Sequence, residues 1–462
     1  MAELVRKKRK RRNAYDEIGG AGVRNNRTLF ALLTLIPILI TLLYGGTALF
    51  AMLLIGPLIA VLGVVWAVRA WRTGEIVLNA DPLLFPLLAL LGFSLFQLLP
   101  LGDAGVPPGA LSIPASNALT LDPYATKIFI LRLAGYIVFF AAALTFIDSE
   151  ERLRKMVAAI AIFGGVIAFI GILQRLASPD AIYGVRQTAQ AIPFGPYFNR
   201  HHFASLMVLF TGVVLSHVLG GGYSRDRKLL LAIPLVLMAA AVVLTGSRGG
   251  VIAYLATFGI CLAGELRSGV RARLPLMLGA GGFGVFVVFL VIFLGGADAL
   301  LRSTGLQAVA DDISSGRTHF WAVAWQVFTA NPIVGAGMEA FGVAFTQFDT
   351  RNGFYRVEQA HNDYLQLLAD GGVIGLAIAV CFVLLLVTKG VVAFRDESAS
   401  EFQRVTRVGA FAGCVGILVH SFVDFPLRTV SNTFFFLLVA ALLAVPSFRR
   451  EHAHRSTNGR EL

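Results

Sequence analysis

Charged residues are scarce in this 462-residue sequence: Asp, Glu, Lys and Arg make up 14% of it, whereas 56% of the residues are hydrophobic. Soluble globular domains carry about 25% charged residues, so this composition excludes a water-soluble protein. Cysteine is also rare, and Cys261, Cys381 and Cys414 each lie within an apolar stretch without paired spacing. We therefore expect neither a disulfide framework nor a cysteine-based zinc site. The composition is typical of a polytopic helical membrane protein.

Long apolar runs dominate the rest of the sequence. A helix needs about 20 apolar residues to cross the ~30 Å hydrocarbon core of a bilayer, and the sequence has such runs for about 12 transmembrane helices. We predict an all-α membrane bundle with a large periplasmic loop that carries an amphipathic helix at residues 318–330. The predicted regions are a basic cytoplasmic tail (1–27), a nine-helix membrane region (28–296), the loop (297–370), a three-helix membrane region (371–446) and a cytoplasmic tail (447–462).

Basic residues decide the predicted orientation. The net charge is +12, and Lys and Arg concentrate in segments that an even number of spans places on one side, including the block at residues 6–12. Cytoplasmic loops carry the excess of Lys and Arg in membrane proteins, so both termini are predicted to be cytoplasmic. The positive charge is assigned to anionic lipid headgroups and not to nucleic acid.

Arginine is sparse on the opposite, outer side, which makes its occurrences there informative. Three of these arginines precede predicted inward-running helices, in the sequences Asn199-Arg200, Ser247-Arg248-Gly249-Gly250 and Arg428-Thr429. Helix N-termini attract anions, and the planar arginine fork fits phosphate oxygens. The pattern predicts a site for a phosphate or diphosphate ligand at the outer interface. The full set of outer arginines is Arg200, Arg248, Arg317, Arg351, Arg356 and Arg428.

Two other interpretations of these polar residues exist. Each arginine, Arg200 or Arg428 for example, could simply contact outer-leaflet phosphates and cap a helix. The histidines raise the question of a zinc site, but their spacing does not match a His-x-x-x-His pattern on a helix. We expect no metal ion and no cofactor. The histidines considered are His201, His202, His319, His361 and His420.

One stretch carries a family resemblance. Residues 359–376 contain Gln359-Ala360-His361-Asn362-Asp363, then a leucine-rich turn, then Gly372-Val373-Ile374-Gly375 running into a membrane helix. This pattern resembles the signature of the O-antigen ligase and polymerase superfamily. Other segments resemble the same family in the same order: Ser247-Arg248-Gly249, Gly316-Arg317, Asn331-Pro332 with Gly335-x-Gly337, and residues 196–204 and 420–428.

The resemblance implies a glycosyltransferase of the bacterial inner membrane that uses an undecaprenyl-diphosphate-linked glycan, without a metal ion or a nucleotide sugar. In the ligases the glycan passes to the lipid A–core oligosaccharide at the periplasmic face, with inversion at the sugar C1. The resemblance implies that His361 is a general base and that Arg248 and Arg317 stabilise the charge of the leaving diphosphate. Asn199, Arg200, Arg356 and Arg428 are predicted to bind substrate.

Three questions stay open at this stage. Asn362, Asp363 or Tyr364 could orient the imidazole, and the sequence does not choose among them. A polymerase that joins repeat units of O-antigen or exopolysaccharide onto a growing chain would use the same chemistry with a different acceptor. A transporter of lipid-linked glycans is the non-enzymatic alternative, but it would place charged residues deep in several helices, and Arg132 is the one basic residue predicted well inside a span.

Overall fold

The computed structural model describes residues 26–102, 117–188, 191–267, 316–351 and 357–447, together with part of 281–293. It confirms the all-α membrane class: eight helices are long and apolar enough to cross a membrane, and three more are apolar but shorter. The last part of the predicted nine-helix membrane region, residues 274–296, lies largely outside the described residues. The other predicted spans each correspond to one of these helices.

The helices have the following bounds. In chain order they are α1 (Asn26–Leu42), α2 (Leu49–Thr73), α3 (Leu84–Phe96), α4 (Pro123–Phe146), α5 (Glu150–Ala177), α6 (Arg200–Leu219), α7 (Arg225–Leu244), α8 (Arg248–Arg267), α9 (Arg317–Ala330), α10 (Phe341–Phe348), α11 (Asp363–Arg395), α12 (Glu401–His420) and α13 (Val430–Ala444). Within the described residues, the one sheet pairs Ala181–Ile182 with Arg186–Gln187 in antiparallel register. The amphipathic helix predicted at 318–330 is confirmed as α9.

The chain divides into two compact units. The first unit comprises Met1–Ile147, Asp312–Val383 and Ser421–Leu438. The second unit comprises Asp148–Asp311, Leu384–His420 and Val439–Leu462.

The second unit is built around α6, the most buried of the long helices. Helices α6 and α12 pack closely because glycines meet at their contact. A Cβ placed on Gly212 would lie 2.6 Å from the carbonyl oxygen of Gly409 and 2.4 Å from the backbone nitrogen of Gly413. Without a hydrophobic effect between helices in lipid, such close backbone contact supplies much of the packing energy.

In the first unit, α11 begins at Asp363, earlier than the span predicted from residue 371. Residues 363–370 form its first turns, and the helix is then interrupted at Gly372, where φ is 60° and ψ is −159°. A side chain at this position would collide with the carbonyl oxygen of Ile333, which lies 2.4 Å from the Cβ position. The backbone nitrogen of Val373 donates instead to the carbonyl oxygen of Pro332, at 2.9 Å.

The loop before α10 is fixed against this first part of α11. Ala336 donates a backbone hydrogen bond to Ala369 and Gly337 donates one to Asp370. The buried Gln97 side chain accepts from the backbone nitrogen of Met338 and donates to the carbonyl oxygen of Asp370. These bonds hold the loop next to the first turns of α11.

Candidate functional site

His361 lies two residues before α11, in a conformation that few non-glycine residues adopt. Its φ is 52°, in the left-handed region. The next residue, Asn362, caps the helix: its Oδ1 accepts from the backbone nitrogens of Tyr364 and Leu365, and its Nδ2 donates to the carbonyl oxygen of Phe422. Left-handed backbone is uncommon at non-glycine residues, although less so at histidine, asparagine and aspartate than at others, and positions of this kind cluster at functional sites.

The imidazole of His361 faces a carboxylate that the sequence analysis did not consider. Nδ1 of His361 lies 3.5 Å from Oδ1 of Asp424, and the Asp424 side chain is 1% exposed. The ring stacks on Phe320, with centroids 5.8 Å apart, and meets the edge of Phe425 at 4.8 Å. Nδ1 is buried and has no hydrogen-bond partner among the described residues, so its approach to Asp424 is an ion-pair distance only. The 29% of the side chain that is exposed lies on other atoms of the residue.

Arg317 contacts the same carboxylate. It is the first residue of α9, and its Nη2 lies 3.5 Å from Oδ2 of Asp424. The structure thus brings together two of the predicted catalytic residues, His361 and Arg317, with Asp424 between them. We call these three residues the His361 cluster.

None of the three residues predicted as possible orienting groups faces the imidazole nitrogen Nδ1. Asn362 is occupied as a helix cap and by Phe422. Oδ2 of Asp363 accepts hydrogen bonds from the hydroxyl of Ser421 and from the backbone nitrogen of Leu427, which lies 3.4 Å away. The ring of Tyr364 packs on Phe422, with centroids 4.4 Å apart. Asp424 takes this place, because the chain returns to the site after α12.

Arg428 lies in a separate set of ion pairs within the first unit. Its Nη2 contacts Asp370 Oδ2 at 2.8 Å, its Nη1 contacts Glu339 Oε1 at 3.1 Å, and its Nε lies 4.0 Å from Asp363. Arg132 contacts Glu339 as well, at 2.9 Å. These five residues, which we call the Arg428 network, join α4, the loop before α10, the start of α11 and the segment before α13.

The carboxylates of the Arg428 network keep the guanidinium of Arg428 charged. Burial disfavours the charged form, but the carboxylates of Asp370, Glu339 and Asp363 outweigh burial and raise the pKa of Arg428. The Arg428 side chain is 12% exposed and is compensated by carboxylates of this chain. These surroundings favour a structural role for Arg428. The contact of Arg428 with substrate stays a prediction.

Glu339, like His361, has a left-handed backbone conformation. Its φ is 67°, again in the left-handed region, and its backbone nitrogen lies 3.3 Å from Oδ2 of Asp370. Two of the four non-glycine residues with such a φ therefore belong to the His361 cluster and the Arg428 network. This counts the described residues only.

The remaining predicted site residues lie in the second unit or beyond the described ranges. Asn199 caps α6 by accepting from the backbone nitrogen of His201 at 2.8 Å, and Arg200 is the first residue of α6. Arg248 is the first residue of α8, directly after the buried Ser247, whose Oγ lies 2.8 Å from Nδ1 of His201. The predicted helix starts at Arg200 and Arg248 are confirmed. Arg356 lies outside the described residues.

The residues that sequence reasoning missed are Asp424, Glu339 and Asp370. Each is a carboxylate in or beside an apolar run, and ionisable residues in such surroundings are functional candidates by default. Asp424 even belongs to the segment 420–428 that resembles the family. The resemblance of this segment to the family could have identified Asp424 as a candidate. It could not have shown that Asp424 lies next to His361.

Comparisons with known proteins agree with the motifs. A family model described as O-antigen ligase matches residues 233–380, which include Arg248, Arg317 and His361. The exopolysaccharide production protein ExoQ of Rhizobium meliloti (strain 1021) is 28% identical over 231 residues, which are 46% of this chain and 50% of that protein. The match therefore spans about half the length of this curated relative.

The helices and the site define a polytopic helical membrane protein with a buried ion-pair cluster at the start of a broken membrane helix. The family match and the relative confirm the predicted resemblance to the O-antigen ligase and polymerase superfamily.

Proposed function

We propose that the protein is a glycosyltransferase of the O-antigen ligase type. It moves a glycan from undecaprenyl diphosphate to a lipid A–core or related acceptor at the periplasmic face of the bacterial inner membrane. The reaction inverts the configuration at the sugar C1 and needs no metal ion.

The proposed step is a single displacement. An acceptor hydroxyl oxygen forms a bond to C1 of the donor sugar while the bond from C1 to the diphosphate oxygen breaks. Nε2 of His361 takes the hydroxyl proton, and undecaprenyl diphosphate leaves with the bonding electron pair. A positioned base of this kind contributes roughly 10² to 10⁴ in rate.

The observation that carries this proposal is the contact between His361 and Asp424. A carboxylate beside Nδ1 favours the tautomer with its proton on that nitrogen, which leaves the lone pair on Nε2. The same buried carboxylate stabilises the imidazolium that forms when Nε2 takes a proton. Phe320 and Phe425 hold the plane of the ring.

Arg317 and Arg248 are proposed to stabilise the leaving diphosphate. A guanidinium carries five N–H donors, so Arg317 can contact Asp424 through Nη2 and still present donors to phosphate oxygens. Arg248 in the second unit keeps the role that its sequence motif predicts, as do Asn199 and Arg200 in donor binding. Negative charge that develops on a leaving group is stabilised best by donors already in place.

A repeat-unit polymerase is the second candidate, and the similarity to ExoQ favours it. That relative is named for exopolysaccharide production, which points to a growing polysaccharide as the acceptor. The base, the leaving group and the arginines would act in the same way. The acceptor alone separates the two proposals.

The glycolipid profile of a deletion strain tests these alternatives. A ligase predicts loss of polymer-capped lipopolysaccharide while lipid-linked polymer accumulates. A polymerase predicts that single repeat units appear where polymer was present. A transporter predicts that the lipid-linked glycan accumulates on the cytoplasmic side, and that outcome would contradict the proposed enzyme. Complementation with the wild-type chain and with His361→Gln separates loss of chemistry from loss of the protein.

A further inference from the structure

An apolar groove runs along the surface of the second unit between α5 and α7. It encloses about 620 Å³ and is lined by apolar side chains of both helices, among them Ala161, Val166, Phe169 and Leu230. This volume lies within the ~300–1,000 Å³ range of ligand pockets in proteins. Several of these side chains are half or more exposed, including Leu230 at 65%.

The groove exists because two helices touch at a small residue. A Cβ on Gly165 of α5 would lie 2.7 Å from Cβ of Pro234 in α7, so the backbones come close at that point. Proline has no N–H to donate, and Pro234 therefore leaves the carbonyl of Leu230 without its helical partner. Larger side chains on both sides of this contact form the walls.

The length of the groove matches one leaflet of a bilayer. On α5 it extends from Ala158 to Phe169, which at 1.5 Å per residue is about 16 Å. The hydrocarbon core of a bilayer is about 30 Å thick. The groove therefore covers roughly the depth that one layer of acyl chains occupies.

One end of the groove is polar and positive. Tyr223 and Arg227 line it there, and Arg227 lies in the first turn of α7, where the helix dipole adds positive charge. Arg154 nearby is already used: it contacts Glu150 at 2.6 Å and stacks over the ring of Phe402 at 3.9 Å. Arg227, by contrast, is exposed where it lines the groove.

We propose that this groove binds one anionic phospholipid, with an acyl chain between α5 and α7 and the headgroup phosphate at Arg227. The residues Arg225, Arg227 and Lys228 are predicted to face the cytoplasm, whereas glycan transfer is proposed for the periplasmic face. The bound lipid is therefore a structural lipid of the inner leaflet and not the glycan donor. Basic pockets between membrane helices on the cytoplasmic side recognise anionic headgroups in this way.

Native mass spectrometry of the purified full-length protein tests the proposal. The protein is titrated with dioleoyl phosphatidylglycerol or dioleoyl phosphatidylcholine, and the bound fraction is measured for each lipid. The wild type is expected to retain phosphatidylglycerol preferentially. Arg227→Gln should weaken that binding about fivefold, the worth of one cation at a lipid surface. Arg225→Gln is the matched control, because Arg225 is an exposed cation in the same turn that does not line the groove.

A second variant tests the acyl part of the site. Ile162 lines the groove and is 66% exposed, so Ile162→Trp should reduce the retention of both lipids without disturbing the fold. Equal binding of the two lipids by the wild type would overturn the proposal, and so would equal losses in Arg227→Gln and Arg225→Gln. Displacement of phosphatidylglycerol by an equal concentration of undecaprenyl phosphate would also overturn it, because the groove would then hold the donor tail.

Discussion

The His361 cluster and the Arg428 network lie in the same unit, and in both an arginine contacts a carboxylate. They differ in how closely these charged groups approach each other. In the His361 cluster the contacts to Asp424 are 3.5 Å long, and His361 is 29% exposed. In the Arg428 network the main contacts are 2.8–3.1 Å long, and Arg428 is 12% exposed.

This difference suits the His361 cluster to a reaction and the Arg428 network to stabilising the fold. A group that is to transfer a proton or bind a phosphate needs an accessible face and contacts that can shorten during the reaction. A buried ion-pair network instead needs every charge compensated, because removing one partner leaves an uncompensated charge in a dry environment. Substitutions in the two sets should therefore have opposite signatures.

The largest effect is expected for His361→Ala. Because the proposed base is lost while the surrounding contacts remain, the transfer rate should fall roughly 10² to 10⁴-fold, with little change in thermal unfolding. The rate is measured with purified protein in proteoliposomes and a lipid-diphosphate glycan donor. His361→Gln keeps a polar side chain of similar length, and near wild-type transfer by that variant would refute the base assignment.

Arg428→Ala should show the reverse pattern. Removing the cation leaves the buried Asp370 without its partner, whereas Glu339 keeps its contact with Arg132. Breaking a buried ion pair costs about 3–5 kcal/mol of unfolding free energy. Denaturation in detergent measures this change, and Arg428→Lys, which keeps the charge without the planar fork, should be intermediate. A variant that folds with wild-type stability and loses only donor affinity would restore Arg428 to the substrate-binding role predicted from the sequence.

Asp424→Asn tests the link between the carboxylate and the imidazole. The change preserves shape and removes the charge, so kcat should fall while KM changes little. The loss should be smaller than for His361→Ala and no larger than the roughly 10⁴-fold cost of the equivalent change in a Ser-His-Asp triad.

Asp363→Asn in the Arg428 network is the matched control for that experiment. It removes a carboxylate close to His361 in sequence, and it should lower stability while the rate per folded molecule is retained. If both variants lose the same activity, the distinction between the two sets of residues is wrong.

Arg317→Lys should give the smallest of these effects. Lysine keeps a positive charge near Asp424 but cannot hold two phosphate oxygens at once. We expect a rate reduced by about tenfold, below the roughly 10² to 10³-fold cost of losing a preorganised donor altogether. Initial rates over a donor titration measure it, and a fully active variant would show that charge alone matters at this position.

Much of the fold could be predicted from the sequence because apolar runs of membrane length are a strong signal. The starts of α6 at Arg200 and of α8 at Arg248 were predictable for the same reason, since polar residues interrupt apolar runs there. The predicted start of α11, at residue 371, lies after its start at Asp363 in the structure. Its cap Asn362 and its first turns, with Asp363 and Asp370, are treated as loop residues by hydropathy. In the structure each of these three side chains bonds to a neighbouring segment.

The site was predictable only in part, because pairing between distant segments leaves little trace in one sequence. His361 and Arg317 stand out through local motifs, whereas the place of Asp424 depends on how the chain returns after α12. For Arg428 the local pattern of a cation before a helix suggested an anion site. The carboxylates of Glu339 and Asp370 that surround it come from other parts of the chain.

The left-handed backbone at His361 determines which side chains are stable at this position. A non-glycine residue held in that conformation costs of order 1–2 kcal/mol, and glycine would avoid that cost. His361→Gly should therefore be inactive and yet unfold at a higher temperature than His361→Ala. The backbone conformation alone would favour glycine at residue 361, so the imidazole is present there at a cost in stability.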